Sequence, residues 1–593
     1  MKKGLLSAIE LQLRQFARRP ILAALLVALA PILVRLLLLP WFPAPLPRLH
    51  DEFSHLLIAD TFAHGRLANP VHAMWPFFES MHILVKPVYA SAYPPAPGAA
   101  LAVGQVLTGS PWAGVLLSIA AMCAAMYWML RGWVSPGWAL LGSALVAARF
   151  GVFSYWMNSY YGGAVAAAAG ALVIGAVPRI LRRRNWRDAA VLAFGLAVLA
   201  NSRPYEGFAF ALAISVYLAW RLRAQLWRPT IALPMLIVVA VAALTTGYYF
   251  YRITGSPLQM PYEYFRSNYT EAPHFIFQGL RPGPVYLHRP IWDFYSNWEP
   301  RAYRAAVANT DAHGLIDKAK YYSRFFLGPV LAIPFLAALW HVRRRRIRLL
   351  AAMGLWFTAG LAVEVWHGAH YAAPAMGVVV LLIVEGLRHL RVAPGGPWIV
   401  RALCLGSLLL PVTGGFREGS GQAREAIRKQ LESAGGSHLV IVRYGVPHDS
   451  GNEWVYNGAD IDGSRVIWAR EMDPASNRNL LEYFADRRVW MVQPDADPTE
   501  LTPFDAASLP DPLFRFVPLG TREVEALRSP QQVREKVLAL APASRVLTCQ
   551  EWKRLFSQAT SVEAPDPKSG CGEASQNQPM DFESWFAWLQ SHK

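Results

Sequence analysis

The sequence predicts a polytopic α-helical membrane protein with about 11–13 transmembrane helices and a C-terminal extracytoplasmic α/β domain. Three observations carry this prediction. Of the 593 residues, 54% are hydrophobic and only 16% are charged, a composition that is rare among soluble proteins. Twelve apolar runs recur in the first 414 residues, most of them long enough to cross ~30 Å of hydrocarbon as helices. No such run follows residue 414, where the sequence pattern becomes that of a soluble domain.

The apolar runs set the expected topology. They lie at about residues 21–40, 97–109, 112–130, 137–153, 163–178, 189–201, 207–220, 230–250, 326–340, 349–366, 371–387 and 396–412. The first run follows basic residues and lacks a small-residue cleavage site, so we interpret it as an uncleaved signal anchor. Basic links at 179–187, 221–223, 343–348 and 388–391 belong in the cytoplasm by the positive-inside rule. An odd number of spans is then required. Either run 97–109, which is short and begins among prolines, is a juxtamembrane or re-entrant helix, or another run divides in two to give thirteen spans.

This topology implies a bacterial-type inner (plasma) membrane protein with a cytoplasmic N-terminus and a periplasmic C-terminal domain. The net charge of +17 divides into +22 over residues 1–414 and −5 over residues 415–593. The basicity is explained by the cytoplasmic links and requires no nucleic-acid partner. Cys123 and Cys404 fall inside apolar runs and are expected to be buried thiols. Cys549 and Cys571 lie in the tail, where a disulfide and two free thiols are equally expected.

The tail, residues 415–593, has the pattern of a small α/β domain. Helices are predicted at 423–434 and 477–485, and strands at 438–443, 465–470 and 488–493. A strand-helix-strand order favours a parallel sheet. Asp460 and Asp462 are typical of either an acidic metal site or a turn, and the turn is favoured. We find no phosphate loop, nucleophile with its base, or metal-ligand spacing in the tail.

Acidic residues gather in the predicted external loops, which hold twelve of the fifteen acidic residues before position 415. The working site is therefore expected on that face, and first in the loop 41–96. Asp51 and Glu52 begin a stretch, residues 53–64, that is predicted to lie in the membrane interface as an amphipathic helix. Asp51 is either the N-cap of this helix or a general base at the edge of the bilayer, and the spacing favours neither.

Further candidates come from other external positions. Glu79 lies among aromatic residues, where a partly buried carboxylate requires a cation such as Lys86 or Arg66, or a ligand. Arg203 begins an apolar run and is either a snorkelling anchor or a bidentate phosphate ligand. Substrate-binding residues are predicted to be Lys86, Arg203, Tyr205, Glu206, Asn158, Tyr161 and Tyr93.

Two weaker patterns lie elsewhere on the same face. The aromatic and charged loop 252–325 is typical of a lid over a site or, by default, of the interfacial aromatic belt. Glu364, His367 and His370 include metal-ligating types, but their spacing does not fit a closed site. No metal site is therefore predicted.

The placed motifs resemble those of the GT-C class of lipid-linked-sugar glycosyltransferases, especially the protein O-mannosyltransferase and aminoarabinose transferase branch. The resemblance rests on Asp51-Glu52 after the first span, the predicted helix 53–64, the second acidic residue Glu79, and Tyr93-Pro94-Pro95. It covers roughly residues 10–390. One departure is Ser80 after Glu79, where the aminoarabinose transferases have a lysine; Lys86 and Arg203 are the substitutes in this chain.

The resemblance implies a GT-C-like fold and an inverting transfer of a sugar from a polyprenyl-phosphate donor to an acceptor hydroxyl on the extracytoplasmic face. The implied partners are that lipid-linked sugar, membrane lipid, and a lipid, glycan or protein acceptor. Asp51 would be the catalytic base, Glu79 would orient the acceptor or the sugar, and Glu52 would support Asp51. The sequence identifies no cofactor, and the need for a divalent cation is left open. A polytopic transporter is the main alternative, although no repeated half is found; a non-catalytic scaffold is the third.

Overall fold

The computed structural model describes residues 5–284, 286–410, 421–445, 448–472, 474–504, 537–538, 540, 546–548, 551–552, 554–556 and 579–581. Helices dominate as far as residue 409. In chain order they are α1 (Leu5–Phe16), α2 (Pro20–Leu37), α3 (His50–Ala63), α4 (Pro95–Thr108), α5 (Pro111–Trp133), α6 (Pro136–Phe150), α7 (Ala164–Arg183), α8 (Trp186–Ala200), α9 (Pro204–Leu222), α10 (Pro229–Thr254), α11 (Pro261–Tyr269), α12 (Arg289–Trp292), α13 (Glu299–Ala308), α14 (Ala312–Phe326), α15 (Gly328–Trp340), α16 (Arg345–Ala362), α17 (Met376–Arg391) and α18 (Gly396–Leu409).

The chain is a multi-pass membrane protein. Within the described ranges, six helical segments are long and apolar enough to cross a bilayer: Pro20–Leu37, Pro111–Trp133, Ala164–Arg183, Pro204–Trp227, Pro229–Thr254 and Ala373–Arg391. Helices α14 and α15, which meet at a bend of 106°, make a seventh if they form one span. The predicted helical membrane body is thus confirmed.

The difference from 11–13 predicted spans has a simple geometric reason. Several apolar runs fold into shorter helices, such as α4 with 14 residues and α6 and α8 with 15 each. At ~1.5 Å per residue these helices extend only ~21–23 Å, less than the ~30 Å of hydrocarbon. Run 97–109 forms α4 and is one of them.

Glycine allows α4 and α5 to pack closely. A Cβ atom on Gly104 would lie 2.0 Å from the backbone nitrogen of Gly114, and one on Gly114 would lie 2.2 Å from the carbonyl oxygen of Ala100. Any side chain at either position would force the two helices apart. This contact fixes α4, against which α3 packs.

The C-terminal region contains the predicted sheet. It is built from β3 (His438–Val442), β4 (Val466–Arg470), β5 (Arg488–Val492) and β6 (Leu501–Pro503), with helices α19 (Gln422–Ser433) and α20 (Pro474–Tyr483). The strand order is β4-β3-β5-β6; β3 pairs in parallel with β4 and β5, and β6 is antiparallel to β5. Strands β7 (Val546–Thr548) and β8 (Pro579–Asp581) pair separately, as do β1 (Ile83–Leu84) and β2 (Ala90–Ser91) of the first loop. The three predicted strands and their parallel pairing are confirmed.

The side chain of Asp460 accepts a hydrogen bond from the Gly463 backbone, as expected of a turn. Two sequence predictions lie outside the described residues: the pairing of Cys549 with Cys571, and the domain boundary at residue 414. Cys123 and Cys404 are free thiols, the first buried and the second partly buried.

Helix α3 does not lie on the membrane surface, so the prediction of an interfacial amphipathic helix is wrong. Ten of its fourteen residues are buried. The first loop and the C-terminal region cover it from both sides: Phe53 stacks on Tyr456 with ring centroids 4.6 Å apart, and Leu57 shares a core with Leu439. Its polar residues are therefore held inside the protein.

Candidate active site

Glu52 caps the start of α3, so the Asp51 carboxylate is not used as the cap. Its carboxylate accepts hydrogen bonds from the backbone nitrogens of Arg48 (3.0 Å) and Leu49 (3.1 Å) on one oxygen, and from that of Tyr160 (3.2 Å) on the other. Backbone donors at a helix start are ordinarily satisfied in this way. Of the two interpretations of Asp51, the structure gives the capping role to its neighbour.

Asp51 is surrounded by polar aromatic rings. The Tyr93 hydroxyl donates a short hydrogen bond to its Oδ1. The Nδ1 atom of His50 lies 3.6 Å and the Nε2 atom of His82 lies 3.7 Å from the same oxygen. Tyr93 is itself held by His55, with the two rings stacked at 4.8 Å. The carboxylate is therefore fixed in position by groups from both ends of the first loop.

The charges of this cluster follow from its burial and its contacts. Burial alone would raise the pKa of Asp51, but His50 and the Tyr93 hydroxyl hold that pKa well below its usual range. Burial opposes protonation of His50, yet the adjacent Asp51 raises the pKa of the imidazole. Burial lowers the pKa of His82 to about 3, and the charge on His50 adds to this effect. Asp51 is thus held in its ionised form, Asp51 favours the protonated form of His50, and burial favours the neutral form of His82.

Asp51 faces a cavity of about 810 Å³. The cavity is bounded by α3, by the loop after β2, by the start of α9, by helices α11, α13 and α14, and by the segment 365–371. Asp449, Ser450 and Gly451 of the C-terminal region complete its wall. Several aromatic rings line it: Tyr93, Tyr161, Tyr262, Phe294, Trp298, Trp366 and Tyr371. Such a wall suits a ring-shaped, hydroxyl-rich or apolar ligand.

Cationic side chains line the same cavity. Arg203, at the start of α9, lies 3.6 Å from Glu206 Oε1 and packs over the Tyr371 ring at 4.6 Å. The Lys318 ammonium donates to the carbonyl oxygens of Glu364 (2.7 Å) and Ala362 (3.3 Å), so its charge is not neutralised by these contacts. Arg266, by contrast, is buried in an ion pair with Glu299 at 3.2 Å. Of these three described cations, Arg203 has the more distant carboxylate partner and Lys318 contacts only carbonyl oxygens here, so these two can meet an anionic ligand.

The Asp51 cluster also fits a divalent cation. His50, Asp51 and His82 each offer one ligand atom, and these atoms lie within 4.8 Å of one another. Two imidazole nitrogens and one carboxylate oxygen are donors for zinc and similar ions, with further positions open to a ligand. Metal binding would require an unprotonated ring nitrogen on both His50 and His82.

The structure brings only some predicted residues to this cavity. Asp51, Tyr93, Tyr161 and Arg203 line it. Among the described lining residues, Glu79 and Lys86 do not occur. Burial raises the pKa of Glu79 to about 7, its Oε2 lies 3.6 Å from His288 Nε2, and its carbonyl accepts a hydrogen bond from Arg470 of the sheet. Lys86 lies over the Trp75 ring at 3.9 Å.

Three other predicted residues support neighbouring helices. Asn158 accepts a hydrogen bond from Arg35 Nε at 2.8 Å and donates to the Val152 carbonyl, which anchors α2 to the end of α6. The Tyr205 hydroxyl donates to the Gly360 carbonyl at 3.0 Å. Glu206 is buried beside Arg203. Asn158, Tyr205 and Glu206 are thus not among the described residues that line the cavity.

Sequence reasoning missed His50, His82 and Lys318. His50 adjoins Asp51 in the sequence, and that adjacency was an available signal. His82 is brought to Asp51 only by the folding of the first loop, and Lys318 only by the placement of α14. The spacing of residues in the sequence does not indicate either contact.

A second buried polar group, Glu364, is influenced by the charge of Arg203. Glu364 is fully buried, and its two carboxylate oxygens have no hydrogen-bond donor among the described residues. His274 Nε2 lies 3.8 Å from Glu364 Oε1. Burial raises the pKa of Glu364 to about 8, against the opposing charges of Arg203 and Lys318. The predicted spacing of Glu364, His367 and His370 gives no metal-ligand cluster within the described ranges.

Comparison with known proteins gives similarity at the level of structure alone. No family model and no curated protein matches the chain. An oligosaccharyltransferase of Archaeoglobus fulgidus, solved with Zn and sulfate, has a TM-score of 0.41 and 12% identity over 79% of this chain and 67% of its own. ArnT from Cupriavidus metallidurans in the apo state has a TM-score of 0.44 and 12% identity over 78% and 92%.

A further solved structure is the archaeal oligosaccharyltransferase AglB from Archaeoglobus fulgidus with an inhibitory peptide and a dolichol-phosphate. It has a TM-score of 0.34 and 10% identity over 83% of this chain and 70% of its own. These similarities agree with the resemblance expected from the sequence. All three TM-scores lie below 0.5.

Proposed function

We propose that this chain is an integral-membrane, inverting glycosyltransferase that moves a sugar from a polyprenyl-phosphate donor to an acceptor hydroxyl. The observation that carries the proposal is that the ionised Asp51 and the Arg203 guanidinium line one cavity of about 810 Å³. Arg203 immediately precedes the candidate membrane span Pro204–Trp227, and Asp51 lies in the loop that follows the span Pro20–Leu37, so we infer that the cavity lies near the level at which these spans end. A lipid-anchored donor can reach a cavity at that level.

The negative charge of Asp51 and the positive charge of Arg203 complement the charges that develop at the two ends of the breaking bond. The bond between the anomeric carbon and the phosphate oxygen breaks, and its electrons leave with the phosphate. Arg203, with Lys318, offsets the negative charge that grows on this group. The anomeric carbon gains oxocarbenium character, and a nearby carboxylate stabilises it.

Asp51 then accepts the proton of the acceptor hydroxyl as the new carbon-oxygen bond forms on the opposite face of the sugar. Its low pKa keeps it ionised and ready at neutral pH. Such a weak base acts late, when bond formation has already made the hydroxyl acidic. One base is sufficient for inversion, and no covalent intermediate is required.

The neighbouring residues receive supporting roles. Tyr93 holds the Asp51 carboxylate, Glu52 holds the start of α3, and Tyr161 contributes to the cavity wall. Glu79, which lies at the contact with the sheet, stabilises the first loop in this proposal. A divalent cation held by His50, Asp51 and His82 would add Lewis-acid stabilisation of negative charge.

The cavity belongs on the extracytoplasmic face in this proposal. Tyr161 of the cavity precedes α7, and Lys318 of the cavity lies in α14 before α15, whereas the basic links follow the other ends of α7 and α15. The positive-inside rule assigns these links to the cytoplasm. The donor would then be a lipid-linked sugar already presented outside the cytoplasm. The acceptor is a lipid, glycan or protein hydroxyl.

The test is to reconstitute the purified protein in lipid with a panel of polyprenyl-phosphate sugars and to measure release of polyprenyl phosphate. We expect at least one donor to be consumed by the wild type and left intact by Asp51→Asn. Equal consumption by both proteins would remove Asp51 from the mechanism. Protease protection of a tag at the C-terminal region tests the orientation separately.

A further inference from the structure

A second cavity, of about 800 Å³, opens at the other end of α2 from Asp51. Its walls come from α1, α2, α6 and α18, together with Arg391 at the end of α17. It contains none of the residues assigned to the proposed reaction. One end of this cavity is basic and the rest is apolar.

The basic end has more arginines than carboxylates. Glu10 accepts hydrogen bonds from Arg391 at 2.7 Å and from Arg401 at 2.8 Å, and Arg14 lies 3.8 Å away. Arg18 also lines the cavity. Three guanidinium groups therefore lie near the Glu10 carboxylate and a fourth lines the same opening, which leaves a net positive charge there.

The apolar walls continue from this opening into the membrane. On α2 the lining runs from Leu26 to Val34 and includes Ala30, and on α6 it includes Leu140 and Ala144. Residues 26–34 of a helix extend ~12 Å at ~1.5 Å per residue. This length is close to the ~15 Å of hydrocarbon in one leaflet.

We propose that this cavity binds an anionic phospholipid, with its phosphate at Arg14, Arg18, Arg391 and Arg401 and an acyl chain along α2 and α6. Charge complementarity selects the anionic headgroup, because a zwitterionic lipid would bring a second cation to a surface that is already positive. Basic pockets between membrane helices commonly bind such lipids on the face that carries the positive links. The bound lipid would tie the N-terminal helices to α17 and α18.

The experiment measures lipid retained by the full-length protein after purification into detergent containing equal amounts of phosphatidylglycerol and phosphatidylcholine with identical chains. We expect phosphatidylglycerol to be retained in preference. Since each arginine near an anionic lipid contributes about fivefold, Arg391→Gln with Arg401→Gln should lower this retention about 25-fold. The matched control is Arg343→Gln with Arg344→Gln, two arginines in a basic link outside this cavity, which should leave retention unchanged.

Two further variants separate lipid binding from a purely structural cluster. Glu10→Gln removes the carboxylate that competes for the guanidinium groups, so it should increase phosphatidylglycerol retention. If the arginines had only a structural role, the substitution would weaken their cluster without increasing retention. Ala144→Trp fills the apolar wall and should lower phospholipid retention while leaving competition by inorganic phosphate unchanged; Ala243→Trp, on the exposed side of α10, is its control.

The proposal is overturned if both lipids are retained equally, or if the two arginine pairs behave alike. It is also overturned if Ala144→Trp leaves phosphatidylglycerol retention at the wild-type level, because the occupant would then be a free anion at the arginines. None of these outcomes depends on transferase activity.

Discussion

The Tyr93 hydroxyl donates a hydrogen bond to the Asp51 carboxylate, although 42 positions separate the two residues in the sequence. This bond joins the start of the first loop to its end. It also fixes the direction of the carboxylate, since Tyr93 is stacked on His55 from the same helix as Asp51. The proposed base is thus oriented before any substrate arrives.

Replacing Asp51 with asparagine should remove the proposed base with little change in shape. We expect the rate of sugar transfer to fall ~10²- to 10⁴-fold, the usual contribution of a positioned base. Asp60→Asn is the matched control, because Asp60 lies on the same helix and binds the Ala459 backbone of the C-terminal region. That control should lower thermal stability and retain transfer. Similar rate losses in both variants would show that only the stability of α3 matters.

Tyr93→Phe should shift the pH dependence of the reaction. The Tyr93 hydroxyl stabilises the charged form of Asp51, so removing it raises the pKa of that carboxylate toward its usual value. The acid limb of the rate profile should therefore move to higher pH, and the rate near neutrality should change little. A pH-rate series on both proteins checks this, and an unmoved acid limb would contradict the assigned contact.

Arg203→Gln should weaken binding of the phosphate-bearing donor. A charge-assisted hydrogen bond contributes about 1.5–3 kcal/mol, so we expect a ~10- to 100-fold rise in KM for the donor. Arg281→Gln is a suitable control, since Arg281 is paired with Glu263 at 3.1 Å and does not line the cavity. If the substitution acted only by leaving Glu206 without its cationic partner, the variant would be less stable and its KM for the donor would be unchanged.

His82→Ala should abolish any divalent-cation binding at Asp51. If the ion binds the folded protein alone, saturation at a hundredfold excess over Kd stabilises it by ~2.7 kcal/mol. We therefore expect zinc or manganese to raise the unfolding temperature of the wild type and not that of His82→Ala. His64→Ala, an exposed histidine at the end of the same helix, should respond like the wild type. The same response in His82→Ala would place the ion elsewhere.

Glu364→Gln should change how stability depends on pH. The pKa of Glu364 is raised by burial from 4.5 to about 8, so the folded protein keeps a proton there that the unfolded chain releases. The unfolding free energy should therefore fall as pH rises from about 4.5 to about 8. Glu364→Gln should flatten this fall and be more stable than the wild type above that window. Glu263→Gln, at an exposed position, should keep the wild-type slope in thermal unfolding scans.

Much of the fold was predictable because it depends on local composition. Hydropathy located α5 and α7, and the apolar strand pattern located β3 and β5. The position of α3 was not predictable in this way. Its apolar spacing is equally typical of a helix on a membrane surface and of one enclosed by two protein layers, and only the C-terminal region decides between them.

The site was predictable in part for a similar reason. Asp51 and Arg203 follow from charges at helix ends, which a sequence shows directly. The roles of Glu52 and Glu79 depend on which backbone groups come near them, namely the nitrogens of Arg48 and Leu49 for Glu52 and the contact with Arg470 for Glu79. Such contacts connect distant parts of the chain and leave no local pattern.

Because the first loop and the sheet share one core, the first loop can be fully packed only after the sheet has been synthesised. Leu57 and Phe77 pack with Leu439 and Ile441 in one buried cluster. The ribosome completes the first loop long before it reaches these later strands. During synthesis the apolar face of the Asp51 loop therefore stays uncovered at first. The site is complete only after residues 438–492 have been synthesised and have reached the same side of the membrane. Interrupting translation after α18 should yield an inserted but inactive protein.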